Sequence, residues 1–117
     1  MLCQHINRGA IKMYKIGIKR MFSVFNADLE LFIPVFHKWI QGNKISNHIM
    51  IDVADYKHIS DGPGIMLIGH EGNFSIDMEN GEAGLLYTRK QVLGEDVVEN
   101  IQIITSILDH ACKLLES

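Results

Sequence analysis

Between Tyr14 and Val24 the apolar side chains fall on every second residue. Tyr14, Ile16, Ile18, Phe22 and Val24 share one face, while Lys15, Gly17, Lys19 and Ser23 share the other. That period predicts a half-buried strand. Asn26, Asp28 and Glu30 then offer capping oxygens ahead of LFIPVFHKWIQGN, where Phe32, Phe36, Trp39 and Ile40 recur at the spacing of one helix face. Pro34 is tolerated only near a first turn, so the helix should begin close to Leu31 and stop before Gly42.

HIMIDV alternates again, with Ile49, Ile51 and Val53 on one side and His48, Met50 and Asp52 on the other, predicting a second strand. The loop ADYKHISDGPG ends in strong turn chemistry at Asp61-Gly62-Pro63-Gly64. IMLIG, residues 65–69, is continuously apolar and reads as an interior strand. In NFSIDM, Phe74, Ile76 and Met78 point inward, and Asn80-Gly81 predicts the tight I′ turn of a hairpin whose partner is AGLLYTR, residues 83–89. Gly94, Glu95 and Asp96 open a long amphipathic helix with Val97, Ile101, Ile104, Leu108, Ala111 and Leu115 on one stripe.

The order β-α-β-β-β-β-α predicts an α+β fold, a mostly antiparallel sheet of about five strands with two helices on one face. A helix crossover follows the first strand, so that strand could run parallel to a neighbour and make the sheet mixed. Residues 1–12 show neither period, and Met13 directly precedes the first patterned segment. They are expected to be disordered or an upstream extension, leaving a single domain over 13–117.

A chain of 117 residues is long enough for one core. With 47% hydrophobic and 21% charged residues, disorder is a poor reading. The net charge of −3 argues against nucleic acid as a partner. Lys12, Lys15, Lys19 and Arg20 are the one basic run, and the solvent face of a strand accounts for them better than an anion site. Cys3 and Cys112 lie at opposite ends without CxxC spacing, which fits a reducing cytoplasm rather than a disulfide framework. No apolar run suggests a membrane span or a secretory signal.

The blocks FHKWIQ, IDVADY, DGPG followed by LIGHE, and GLLYTR together resemble a family of short uncharacterised bacterial proteins. The resemblance covers most of residues 30–90 and implies no activity, cofactor or catalytic residue. It also implies a domain beginning close to the strand that follows Met13.

The polar side chains group as Asp52, Asp55, Tyr56, His58 and Asp61 around the exit of the second strand, and as His70 and Glu71 after the third. Adjacent antiparallel strands should place the two groups at opposite ends of the sheet. The first group holds a carboxylate, a phenol and an imidazole, the parts of a proton-transfer or oxygen and nitrogen metal site. Its spacing is nonspecific, so loop hydrogen bonds for Asp52 and Asp55 and solvent for His58 weigh more. Gly69-His70-Glu71-Gly72 lacks the second His of HExxH and fails as a zinc signature; a hairpin corner is the plainer reading. His37 belongs to the flank of its helix, Trp39 reads as a core anchor and Cys112 as a buried thiol. Neither GxxxxGK[ST] nor GxGxxG occurs, so no nucleotide, cofactor or metal is assigned.

The face of the sheet away from the helices should show Met50, Met66, Ile68 and Leu86 or Tyr87 between Ser75, Asp77 and Thr88. Such a face is too apolar for free water and predicts a homo-oligomer or another bound partner. A small enzyme, or a ligand- or metal-binding protein, using Asp52, Asp55, Tyr56, His58, His70 and Glu71 is the alternative.

Overall fold

The computed structural model describes residues 3–12, 15–23, 28–45, 47–57, 63–90 and 97–116. The sheet has six strands, β1 (Cys3–Lys12), β2 (Lys15–Phe22), β3 (Met50–Asp55), β4 (Pro63–Gly69), β5 (Gly72–Asp77) and β6 (Gly84–Arg89), in the order β1-β2-β6-β5-β4-β3. Its helices are α1 (Phe32–Gln41) and α2 (Val97–Glu116). Five of the strands, the two helices and their order are as the periodicity predicts.

All the pairings are antiparallel, which settles the direction of β2: it runs antiparallel to β6, and the sheet is not mixed. Cys3–Lys12, which shows no side-chain period, is not disordered: it forms β1 and pairs with β2. An edge strand is held by backbone hydrogen bonds to a single neighbour, and no side-chain period need announce it. α1 begins one residue after Leu31 behind a 3-10 turn (Leu29–Leu31), with Pro34 in its first turn, and Gly42 caps it.

The register builds a single row across five strands. Ile18 faces Tyr87, Tyr87 faces Phe74, Phe74 faces Leu67, and Leu67 faces Val53. Both helices pack on this face. Trp39 of α1 packs beside Phe36 and meets Phe74, the Trp39 and Phe74 rings edge to face at 6.1 Å, and Ile104, Leu108 and Ala111 of α2 complete the buried core. Such aromatic pairs add about 0.5–1.5 kcal/mol beyond the area they bury.

The alternation read for β3 is inverted at its start. The pairing shifts between Met50 and Asp52, so that Met50 and Val53 pack against the core while Ile49 and Ile51 are 65% and 59% exposed. One extra residue in a strand moves everything before it to the opposite face. Met50 therefore leaves the outer face on which the sequence placed it, and so does Tyr87, which is fully buried in the core row. The outer row instead reads Ala54, Met66, Ser75, Leu86 and Lys19.

Two members of the basic run are not solvated. Lys19 is buried on the outer face, where its aliphatic stem lies over Gly84 and its ammonium reaches Asp77 at 2.8 Å and the carbonyl of Glu82. A Cβ on Gly84 would stand 2.9 Å from Lys19 Cε, so this path requires glycine. Arg20 is buried on the inner face, and its guanidinium meets Asp109 of α2 at 2.5 Å. The same Asp77 carboxylate accepts the Glu79 N–H at 3.3 Å. That bond draws the expected two-residue turn at Asn80-Gly81 into a longer connection, a 3-10 turn (Glu79–Gly81) in which Gly81 takes φ +70°.

Among the described residues no helix is long and apolar enough to cross a membrane. Asp77→Ala should lower the unfolding free energy by about 3–5 kcal/mol, because it leaves the Lys19 ammonium buried without its carboxylate. Urea denaturation should show that loss, and Lys19→Met/Asp77→Leu should recover most of it.

Candidate functional site

One strand step beyond the core row, Arg89 faces Gly72 across the β5–β6 ladder. Alternation puts Tyr87 and Arg89 on the same inner face two residues apart. Gly72 makes their packing feasible, since a Cβ there would stand 2.5 Å from the Tyr87 hydroxyl. The phenol thus leans over a position that has no side chain. Arg89 donates to Tyr87 Oη at 3.1 Å.

The segment leading into β3 closes over this end of the sheet. Asn47 adopts φ +60°, a left-handed conformation that Asn tolerates better than most residues, and the following His48 turns inward. Its Nε2 lies 2.7 Å from Tyr87 Oη and 3.4 Å from Arg89 Nη1. Ile49 N–H donates to the Glu71 carboxylate at 2.7 Å, while His70 N–H donates to the Ile49 carbonyl at 2.8 Å. Lys90 binds the same corner through its ammonium on the Gly69 carbonyl and its N–H on the Glu71 carbonyl. The β4–β5 turn, the end of β6 and the approach to β3 are therefore locked together.

One direction in the Tyr87 cluster is fixed by Arg89. Arginine only donates. Burial pushes the Tyr87 phenol above its ordinary pKa, with Arg89 opposing part of that rise, so the hydroxyl keeps its proton at neutral pH. Oη accepts the Arg89 N–H, and between Oη and His48 Nε2 the donor is set by the imidazole tautomer.

A cavity of about 340 Å³ opens beside this cluster, between α2 and residues 45–48. Ile45, Ile103 and Ile107 form apolar walls, and His48, Arg89 and His110 bring nitrogens to it. Arg89 is only 7% exposed. Across the opening, His110 Nε2 lies 3.1 Å from the Lys44 carbonyl and ties α2 to the loop after α1. None of the described residues lining the cavity is acidic. A mostly apolar concavity with a few convergent polar groups is the usual form of a small-molecule site.

The residues singled out from sequence do not converge here as a set. Asp52 is exposed, and its carboxylate accepts the Val53 N–H at 2.8 Å. Asp55 is also exposed; it accepts the Lys57 N–H at 3.0 Å and pairs with the Lys57 ammonium, which lies 3.7 Å from Glu30. Tyr56, 37% exposed, continues the ladder by donating its N–H to the Gly64 carbonyl at 2.7 Å. His58 and Asp61 lie outside the described residues. His70 is exposed, with Nδ1 3.9 Å from Glu71. Asp55 pairs with Ile65 and Met50 with Gly69, so Asp55 and the His70-Glu71 corner stand at opposite ends of the β3–β4 ladder. Only Glu71 borders the new cluster, as the acceptor that seats Ile49 beside His48. Among the described residues no group of three His, Cys, Asp or Glu could hold a metal ion.

Tyr87, Arg89 and His48 were not among the candidates. The available signal was the alternation of GLLYTR, which places Leu85, Tyr87 and Arg89 on one face and so carries a cation into an apolar row. Trp39 packs against Phe36 and Phe74 as a core residue, and His37 is exposed.

Gly72→Ala should destabilise the protein by about 1–3 kcal/mol through overpacking, and it should displace Tyr87. Thermal denaturation and the fluorescence or NMR signature of that tyrosine would record both effects. The bond from Ile49 N–H holds the Glu71 carboxyl below its ordinary pKa. The stability this lends is present above the ordinary value of 4.5 and is lost as pH falls through the lowered one. Glu71→Gln should therefore differ most from wild type near neutral pH, the gap in chemical denaturation narrowing below pH 4.5. Comparison with known proteins gave no matching family model, no matching curated protein and no matching solved structure.

Proposed function

We propose that this protein is a small-molecule-binding domain whose ligand occupies the cavity between α2 and residues 45–48. The observation that carries this reading is Arg89, a guanidinium almost wholly removed from solvent yet forming part of the wall of a 340 Å³ concavity. A buried cation is costly unless it is held in good geometry. Here Tyr87 and His48 hold it, and the cavity gives it something to recognise. The same elements that stabilise the fold position it, so the site is rigid before a ligand arrives.

Binding rather than turnover is the reading these residues favour. The His48 Nε2 is engaged with Tyr87, and the carboxylates at Asp52 and Asp55 are engaged in local hydrogen bonds at a distance from the cavity. The reading places the protein in a bacterial cytoplasm, in keeping with its resemblance to short bacterial proteins and its lack of a disulfide framework. Self-association is a second reading. It is favoured by Met66, Ile68 and Leu86, half-buried on the outer face, and by Ile49 and Ile51, exposed on the approach to and within the edge strand β3. Light scattering at micromolar concentration would show a dimer if it holds and a monomer if it does not.

Screening a fragment library against isotope-labelled protein should shift the amide resonances of His48, Ser106 and Ile107 together. A fragment at about one hundred times its Kd should add about 2.7 kcal/mol of stability, readable as a rise in Tm. Ser106→Trp, on the exposed side of α2 at the cavity lining, should abolish both effects. Fragments that shift none of these amides, or that bind the variant as well as wild type, would overturn the proposal.

A further inference from the structure

β3 is the last strand of the sheet and is hydrogen-bonded to β4 on one side only. Every second backbone group of such a strand turns away from the fold and offers a template on which another strand can add. The Tyr56 N–H marks the inward direction, since it donates to the Gly64 carbonyl on β4. Backbone direction alternates along a strand, so the N–H of Val53, three residues back, points outward.

That outward donor is already taken. The Asp52 carboxylate accepts the Val53 N–H at 2.8 Å. Just past the end of the strand the Asp55 carboxylate accepts the Lys57 N–H at 3.0 Å and pairs with the Lys57 ammonium. The side chains around these caps are apolar. Of the large apolar residues exposed among the described residues, Ile49, Ile51 and Tyr56 all lie on β3 or immediately beside it. An edge of that composition ordinarily attracts a further strand.

We infer that Asp52 and Asp55 guard the β3 edge, and that the association they prevent is pairing with the β3 of a second copy of this chain. A second copy brings the same Ile49 and Ile51 and can approach antiparallel about a twofold axis. It also brings its own carboxylates. With the axis at residue 52 the two Asp52 side chains stand opposite each other, and at residue 55 the two Asp55 do. With the axis at residue 53, Asp52 and Asp55 fall opposite Ala54 and Ile51; at residue 54 they fall opposite Tyr56 and Val53. None of these registers sets a lysine opposite an aspartate, and each gathers like charges along one short ladder. The carboxylates thus withhold a donor from the incoming strand and repel it as well. This inference is independent of the cavity, whose lining includes neither aspartate.

Sedimentation velocity on the full chain, from micromolar to millimolar concentration, tests it together with hydrogen exchange at the Val53 amide. That amide reports on this edge, so association through the outer face of the sheet does not bear on it. In the wild type its exchange should be independent of protein concentration. Asp52→Val and Asp52→Val/Asp55→Val should self-associate about tenfold more tightly than wild type or better, the order of effect expected from relieving opposed like charges. Exchange at the Val53 amide should slow as they do so. Adding Ile51→Lys should return either variant to wild-type behaviour. Asp52 is exposed and valine suits a strand, so the single variant keeps the test open should the double variant fail to fold. Variants that associate no more tightly than wild type would overturn the inference, as would a wild-type Val53 amide that gains protection with rising concentration.

Discussion

Phe74 and Tyr87 stand opposite each other on the two central strands, their ring centroids 4.7 Å apart and both side chains fully buried. Everything functional in the molecule depends on this contact. Phe74 carries the edge of Trp39 and so seats α1, while Tyr87 lies beside Ile18 on β2, the strand that α2 engages through Arg20 and Asp109. Cross-strand aromatic pairs are worth only about 0.2–1 kcal/mol relative to alanines as pairs. Their larger effect here is on position. Once Phe74 fixes the ring of Tyr87, the hydroxyl can only project toward Gly72, where Arg89 and His48 meet it.

Charge placement follows the same economy of space. Lys19 and Arg20 are neighbours in sequence on opposite faces of one strand, and each reaches a carboxylate on a different element. Arg20 ties β2 to the middle of α2, on the same helix that carries Ile103, Ser106 and Ile107 into the cavity. Lys19 ties β2 to the end of β5 across the bare backbone of Gly84. A strand with two long cations would ordinarily expose at least one of them. Here both are buried, one on each face, the Lys19 stem lying over Gly84 and each charged end meeting a carboxylate.

Much of the fold was legible because its signals are local. The Phe32, Phe36 and Trp39 stripe, the Pro34 and Gly42 boundaries of α1 and the continuous run of β4 each rest on a few adjacent residues, and the structure follows them. What could not be read were consequences of pairing. A bulge near Ile51 turned Ile49 outward and Met50 inward, although the alternation alone gives the reverse. The side chain of Asp77 lengthened a turn that Asn80-Gly81 would otherwise close tightly. The candidate site suffered most. Asp52, Asp55, Tyr56, His70 and Glu71 stand out as a list of reactive groups, yet their strand positions send them to different ends and faces of the sheet. His48 lies 39 residues from Tyr87 and 41 from Arg89 in the chain, and only the register brings it within hydrogen-bonding distance of them.

Arg89 carries the last step of the reasoning. Its place in the sheet, in line with Leu85 and Tyr87, would accommodate a leucine or methionine, and replacing a buried charged group by an apolar one of similar volume is often neutral or stabilising for a fold. A guanidinium there is instead held by hydrogen bonds within the fold. The residue reaches almost no bulk water. Tyr87 and His48 offset part of the burial cost through hydrogen bonds, and Gly72 gives up a side chain so that Tyr87 can do so. Three positions on three segments are thus arranged around one cation at the wall of a cavity. On the proposed reading a ligand in that cavity meets a wall that Tyr87 and His48 already hold in place.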